Sequence, residues 1–196
     1  MYTKLSRYIS YLLRHNPGDL DLKMDSNGWV SCKELIDKIH KQGKYIINID
    51  ILKLIVKEDE KQRYAFSKDE KCIRANQGHS IDVNMEYTPV IPPDILYHGT
   101  DAKFVRNIME SGGLSPMTRQ YVHLSQDVNT ALGVALRHGN TPIIFHLNAK
   151  KMYEDGIKFY KSENNVYLCE HIPQYYLYQA QYYDSGELKN ISEMNK

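Results

Sequence analysis

Residues 48–75 read NIDILKLIVKEDEKQRYAFSKDEKCIRA, and within them the hydrophobic period changes from that of a helix to that of a strand. Asn48 stands ahead of Ile51, Leu52, Ile55 and Val56, the spacing of a capped amphipathic helix, which ends in the charged run Lys57-Glu58-Asp59-Glu60. Two short strands are predicted next, Arg63 to Phe66 and Cys72 to Ala75, joined by the polar turn Ser67-Lys68-Asp69-Glu70. Toward the N-terminus, Ser31 with Glu34 three residues on forms a capping-box pattern that opens a helix through Leu35, Ile36 and Ile39. Before it, Leu20, Leu22 and Met24 alternate ahead of the turn Asp25-Ser26-Asn27-Gly28 and Trp29-Val30, which predicts short extended segments. The first helix, through Leu5, Ile9, Leu12 and Leu13, stops at His15-Asn16-Pro17, because the residue before proline avoids the helical region. Three helices followed by a hairpin predict a winged-helix-like lobe over residues 1–87. Such a lobe docks on nucleic acid or on protein, and topology alone leaves both open.

Pro89, Pro92 and Pro93 mark a connector, residues 88–94, and a second lobe is expected over 95–184. Its elements are a strand at Ile95 to His98 running into Gly99-Thr100, a helix from Asp101 to Ser111 stopped by Gly112-Gly113, and a strand at Tyr121 to Leu124. A helix capped by Asp127 and running to Arg137 follows, then an apolar strand from Pro142 to Leu147. Strands around Phe159-Tyr160, Val166 to Cys169 and Tyr175 to Tyr183 complete a β-rich lobe with two helices, and residues 185–196 are expected to fray. The class is therefore α+β, with neither an internal repeat nor a low-complexity tract.

The 196 residues, 42% of them hydrophobic and 25% charged, exclude a disordered chain and suffice for one good-sized domain or two small lobes. Sixteen tyrosines against four phenylalanines mean that much of the aromatic area carries hydroxyls, which need partners or a wet edge. The net charge of +1 gives no global field for a polyanion, so phosphate recognition has to come from a few placed cations. Three cysteines, Cys32, Cys72 and Cys169, form no C-x-x-C pair and signal neither a disulfide framework nor a zinc site. With no membrane-length apolar run and no signal-peptide core, a cytoplasmic protein is expected.

Candidate chemistry lies in several short stretches. Arg14 and His15 close the first helix, where cations complement the macrodipole by roughly 0.3–1 kcal/mol without any further role. Arg63 begins a strand, and Arg119 lies on a loop after Gly112-Gly113. Singly each is ordinary, but guanidinium groups converging with an imidazole would clamp a phosphate. Arg74, Asn76, Gln77, Gly78, His79 and Ser80 read as a polar turn or as a lip contacting substrate. His98, Gly99 and Thr100 stand where a strand meets a helix, and free backbone N–H groups there would favour an anion. His123 and Ser125 share a strand face, so the two strand ends would suit the ribose and pyrophosphate of a dinucleotide. No G-x-G-x-x-G run, Walker loop or H-E-x-x-H motif is present, which argues against a Rossmann or P-loop site and against a metal. His138, His146 and His171 lack partners at ligand spacing and read as structural or surface residues.

Leu5 to His15, Asn27-Gly28-Trp29-Val30, Asn76 to Ser80, Tyr97-His98-Gly99-Thr100, Val122-His123-Leu124-Ser125 and Asn164 to Leu168 occur in the order found in the RNA 2′-phosphotransferase family, which the chain resembles from Leu5 to about Tyr176. The resemblance implies a winged-helix RNA lobe joined to an ADP-ribosyltransferase-like lobe that binds NAD. It further implies an RNA 2′-phosphate attacking the nicotinamide ribose C1″ and expelling nicotinamide, after which the ribose 2″-hydroxyl attacks phosphorus. The products are RNA with a 2′-hydroxyl and ADP-ribose 1″,2″-cyclic phosphate, the step that ends tRNA splicing in eukaryotes. The family's catalytic set falls on Arg14, His15, Arg63 and Arg119. The resemblance assigns NAD to His98 and His123, beside Gly99, Thr100 and Ser125 of the two strand ends, and places Val166 where many ADP-ribosyltransferases carry a glutamate against the ribose. Tyr167 stands where many relatives carry Trp, and Gln120-Tyr121 is less basic than in many. Two other readings use the same residues: an ADP-ribosyltransferase that stops after the first transfer, on a protein or a terminal phosphate, and a winged-helix regulator that senses NAD. The acidic end of the helix from Asn48 to Glu60 counts against the regulator.

Overall fold

A computed structural model describes residues 2–190, in which the chain divides into two compact units. The first comprises residues to Tyr87 together with the short segments Thr118–Gln120 and Ser162–Asn164; the second comprises the rest. Six α-helices and four antiparallel sheets occur among the described residues.

In the first unit, α1 (Thr3–Arg14) buries Leu5, Ile9, Leu12 and Leu13 on one face. Pro17–Leu20 forms a 3-10 turn that takes in Leu20, the first of the residues expected to be extended, because Pro17 presets the turn and Asn16 Nδ2 donates to Asp19 Oδ1 at 2.6 Å. Only Met24 retains strand character, in a single bridge to Val30. β1 (Val30–Ser31) leads into α2 (Cys32–Gln42), whose first turn is capped by Ser31 Oγ accepting from Glu34 N. The box is half made. Glu34 turns its carboxylate to Lys23 N (3.0 Å) and Lys38 Nζ (2.8 Å) instead of back to the cap. α3 (Ile49–Lys57) is capped by Asn48 Oδ1 accepting from Ile51 N at 2.8 Å. β2 (Tyr64–Phe66) and β3 (Cys72–Ala75) form the hairpin, and β1 adds to β3 in the order β1-β3-β2. Ile9, Leu12, Leu35, Ile39, Leu52 and Ile73 are fully buried in its core, each contributing roughly 1.5–3 kcal/mol.

The second unit begins earlier than the connector reading placed it: β4 (Pro89–Val90) already pairs with a later strand, β9. β5 (Ile95–Asp101) is followed by α4 (Ala102–Glu110), β6 (Gly113–Leu114), β7 (Val122–Leu124), α5 (Val128–Ala135), β8 (Pro142–Asn148) and α6 (Ala149–Glu154). β9 (Phe159–Lys161), β10 (Tyr167–Cys169), β11 (Ile172–Pro173), β12 (Leu177–Asp184) and β13 (Glu187–Asn190) complete it. One sheet has the order β13-β12-β8-β5, a second β4-β9-β10-β7, and β11 pairs with β6. β8 is buried along its length except at Asn148, and pairs with β5 from Ile95↔Asn148 to Asp101↔Pro142. Reciprocal backbone bonds between Tyr97 and Ser125 (3.0 and 2.8 Å) tie β5 to the end of β7.

Three sequence expectations are corrected here. The unit has three helices, not two: α6 is six residues long, started by Asn148 Oδ1 accepting from Lys151 N, and too short to show a periodic face. Residues 185–190 do not fray, because Ser185 and Gly186, with φ of 51° and 92°, make a two-residue turn that folds β13 onto β12; residues 191–196 lie outside the described residues. Gly99 and Thr100 do not stand past a strand end with free N–H groups, since β5 continues through them to Asp101, which caps α4 by accepting from Lys103 N.

Candidate functional site

Every member of the expected phosphate clamp lies in the first unit. Arg14 is the last residue of α1, and its carbonyl accepts from Ser80 N at 3.0 Å. Its Nε and Nη2 are buried with no hydrogen-bond partner among the described residues. Burial lowers the Arg14 pKa to about 10, with Arg63 and Arg119 adding repulsion and Tyr64 and Asp59 opposing it. It therefore remains a cation at pH 7, and a buried cation with unused donors is costly unless an anion meets it. His15 is exposed, and its Nδ1 shares a 2.9 Å hydrogen bond with Ser80 Oγ. Burial of part of the ring, then the charges of Arg119 and Arg14, lowers its pKa.

Gly78 is where two of the arginines meet. A Cβ placed on it would lie 3.7 Å from Arg119 Nη1 and 3.7 Å from both Arg14 Cζ and Arg14 Nε, and its φ is +88°. Two guanidinium groups thus flank a bare stretch of backbone that only glycine provides at this φ. The loop carrying Arg119 is held by Gln120, whose N–H donates to His79 O (3.3 Å) and whose Nε2 donates to Val83 O (2.9 Å).

Arg63 enters differently. Its backbone N–H donates to Asp59 Oδ2 at 2.5 Å and its Nη1 pairs with Asp59 Oδ1, while Asp59 itself is only 5% exposed at the side chain. The lip residues are built into the same frame. Asn76 N donates to Arg63 O (2.8 Å), Asn76 Nδ2 donates to Gln62 O (2.7 Å), and Tyr87 OH donates to Asn76 O (2.6 Å). Arg74 lies over the Trp29 ring, 4.4 Å from its centroid, and donates from Nη2 to Glu163 Oε1 at 3.1 Å. His79 is buried, and burial, reinforced by Arg14, His15 and Arg74, lowers its pKa to about 4, so its ring is neutral at pH 7. Arg74 Nε, Asn76 Oδ1, Gln77 Oε1 and His79 Nε2 are also buried without a hydrogen-bond partner among the described residues.

The expected dinucleotide residues lie in the second unit. His98 Nδ1 bonds to the carbonyl of His123 at 3.0 Å; a carbonyl only accepts, so Nδ1 carries the proton and Nε2 is the free acceptor. Burial lowers the His98 pKa to about 4, which keeps the ring neutral. Ser125 is fixed through its backbone to Tyr97, and Val166 immediately precedes β10. Thr100 is buried within β5. Gly99 has a packing role, since an added Cβ would fall 2.0 Å from Ala131 O of α5. Thus the first unit offers guanidinium nitrogens with unused donors, and the second offers the neutral ring of His98 beside hydroxyls. Among the described residues no group of three or more His, Cys, Asp or Glu side chains is placed to hold a metal ion, and no helix is long and apolar enough to cross a membrane.

A family model, RNA 2'-phosphotransferase, Tpt1 / KptA family, matches residues 2–171. The chain belongs to this family. It is 48% identical over 174 residues to a "Probable RNA 2'-phosphotransferase" of Fusobacterium nucleatum subsp. nucleatum, covering 89% of this chain and 96% of that protein. It is also similar to proteins of the same description from Nostoc punctiforme (45% over 174 residues, 89% and 94% covered) and Hahella chejuensis (45% over 172 residues, 88% and 91% covered). The family match spans parts of both units, and with them every residue singled out from the sequence.

For this RNA 2′-phosphotransferase family member the structure brings Arg14, His15 and Arg119 together with Gly78 and Ser80, and holds Arg63 through Asp59. Sequence reasoning missed Asp59, which it absorbed into a charged helix end. The available signal was its i, i+4 spacing to Arg63. It also missed Glu163 and the stacking of Trp29 on Arg74, for which no local pattern exists.

Proposed function

We propose that this chain removes an internal 2′-phosphate from RNA, of the kind left by tRNA splicing, in an NAD-consuming transfer that yields 2′-hydroxyl RNA, nicotinamide and ADP-ribose 1″,2″-cyclic phosphate. The observation that carries the reading is the buried Arg14 guanidinium, two of its nitrogens unused, facing Arg119 across Gly78. Family membership supplies the reaction class. In this reading the first unit is a winged-helix-like RNA lobe, with β2–β3 as its wing, and the second an ADP-ribosyltransferase-like lobe working in a reducing cytoplasm.

NAD supplies an electrophilic ribose carbon with nicotinamide as its leaving group. The phosphate needs no deprotonation to act as a nucleophile, so Arg14, Arg63 and Arg119 serve by orienting it and balancing its charge. When the ribose hydroxyl attacks phosphorus, negative charge grows on the phosphoryl oxygens, which the same guanidinium groups stabilise. The departing RNA 2′-oxygen needs a proton. His15 is the donor: burial of part of the ring, then Arg119 and Arg14, lowers its pKa in the free protein, and the negative charge of the bound phosphoryl group opposes the arginines' part of that shift. His98, its ring neutral, and His123 hold the dinucleotide by hydrogen bonds, and Val166, unlike a glutamate, puts no second negative charge beside the anionic phosphoryl group as the ribose 2″-hydroxyl attacks it and passes its proton to solvent.

The test is a short RNA with one internal 2′-phosphate, incubated with and without NAD, its products resolved by mass. Loss of the phosphate only with NAD, together with cyclic-phosphate ADP-ribose, supports the two-step transfer. RNA that gains ADP-ribose and keeps it shifts the reading to a one-step transferase, and no reaction by a folded, NAD-binding sample shifts it to a sensor.

A further inference from the structure

Arg63, ordinary when taken singly in the sequence, is held through both its main chain and its side chain. Its N–H and its Nη1 go to the two oxygens of one buried carboxylate, Asp59, and its carbonyl accepts from Asn76 N. The residue before it, Gln62, adopts φ +44°, a conformation that L side chains rarely take. Gln62 is kept there by its own N–H donating to Asp59 O (2.7 Å) and its carbonyl accepting from Asn76 Nδ2 (2.7 Å). One acidic side chain at the end of α3 and one amide beyond β3 thus bracket two residues and direct the guanidinium.

A generic surface pair would not look like this. Exposed ion pairs at i, i+4 contribute little to stability and leave both side chains mobile. Here the carboxylate is 5% exposed, and it takes up the guanidinium at one end only, through Nη1, so that no second side-chain bond to Asp59 engages Nη2 or Nε. Asp59 also offsets the mutual repulsion of the cations, since its charge opposes the lowering of the Arg14 pKa.

We infer that Asp59 is a positioning residue for the transfer reaction: it fixes the rotamer and the backbone of Arg63 so that Arg63 meets the phosphoryl group in the transition state, without itself touching substrate. The inference rests on the proposed function, in which Arg63 contacts the phosphate.

The test is steady-state kinetics on the 2′-phosphorylated RNA with saturating NAD, for wild type, Asp59→Asn, Asp59→Glu, Arg63→Ala and the double variant Asp59→Asn/Arg63→Ala. The expected result is a kcat about tenfold or more lower for Asp59→Asn, KM for RNA changed less than about threefold, and partial recovery in Asp59→Glu, which keeps the charge. In the Arg63→Ala background, Asp59→Asn should add less than about a twofold further loss, because the residue through which it acts is gone. A kcat for Asp59→Asn within twofold of wild type, or a full additional loss in the Arg63→Ala background, overturns the inference and leaves the transferase reading intact. Wild-type protein without turnover overturns the transferase reading itself. If Asp59→Asn lacks a cooperative melt, Asp59→Ser is judged by the same two criteria.

Discussion

Gly78 shows how one residue can set both a backbone and a charge arrangement. Its φ of +88° would strain any other residue by about 1–2 kcal/mol, and a methyl group there would stand between Arg14 and Arg119. Gly78→Ala should therefore lower the melting midpoint modestly and cut transfer about tenfold or more, checked by thermal melts beside turnover. Arg119 is exposed, so Arg119→Ala should leave the melt unchanged while costing at least about 2 kcal/mol of transition-state stabilisation, roughly 30-fold in turnover. A folded Arg119→Ala with wild-type rates would remove it from the clamp. In the second unit, His98→Ala should weaken NAD binding more than RNA binding by titration calorimetry; equal weakening would contradict the assignment of His98 to the dinucleotide.

At the scale of elements, α5 and β5 meet through a glycine. Gly99→Ala would place a methyl carbon 2.0 Å from Ala131 O, a backbone atom that cannot move without the helix. We expect a loss of at least about 2 kcal/mol in urea unfolding. Gly133, on the same helix, has nothing within 4 Å of its added Cβ, so Gly133→Ala should stabilise by roughly 0.5–1 kcal/mol through helix propensity. Opposite signs from two identical substitutions separate packing from propensity; matching signs would show that α5 does not rest on Gly99. The strained positions have a related logic. Of the seven non-glycine residues with positive φ among the described residues, three, Gln62, Met117 and Asn165, with φ of 44°, 56° and 62°, lie just ahead of Arg63, of the loop bearing Arg119, and of Val166. Backbone strain of this kind persists where surrounding contacts over-determine it, and for Gln62 those contacts are Asp59 and Asn76.

Each unit of the whole molecule carries one histidine held neutral by burial, His79 in the first and His98 in the second, both with pKa lowered to about 4. Unfolded histidine titrates near 6.5, so between pH 6.5 and 4 the unfolded chain binds protons that the folded chain refuses. Stability is then complete above about pH 6.5 and falls as pH drops toward 4, by about 1–3 kcal/mol per histidine. Melts at fixed ionic strength across this window should show the decline, and His79→Gln with His98→Gln should flatten it; an unchanged slope would refute the assignment. The thiols give a second whole-chain readout. Cys32 and Cys169 are buried with pKa pushed up to about 11, whereas Cys72 is half-buried, so one thiol should react with a disulfide reagent at neutral pH and three after denaturation.

Local patterns were enough for the elements whose cause is local: α1 by its apolar spacing and Pro17, α3 by Asn48, the β2–β3 hairpin by alternation about a polar turn. They were also enough to nominate the arginines and histidines, because residue type limits the chemistry a side chain can perform, and the order of the motifs pointed to the family. The continuation of β5 through Gly99 and Thr100, the pairing of Pro89–Val90 with β9, and the β13 hairpin depend on partner strands that no local window contains. The same holds for the site. That two guanidinium nitrogens of Arg14 are buried with unused donors, that Arg119 meets it over Gly78, and that Asp59 and Asn76 hold Arg63 are facts of three dimensions. Burial and convergence arise from contacts between residues far apart in the chain, and a hydrogen bond exists only where folding brings its two atoms within about 3 Å.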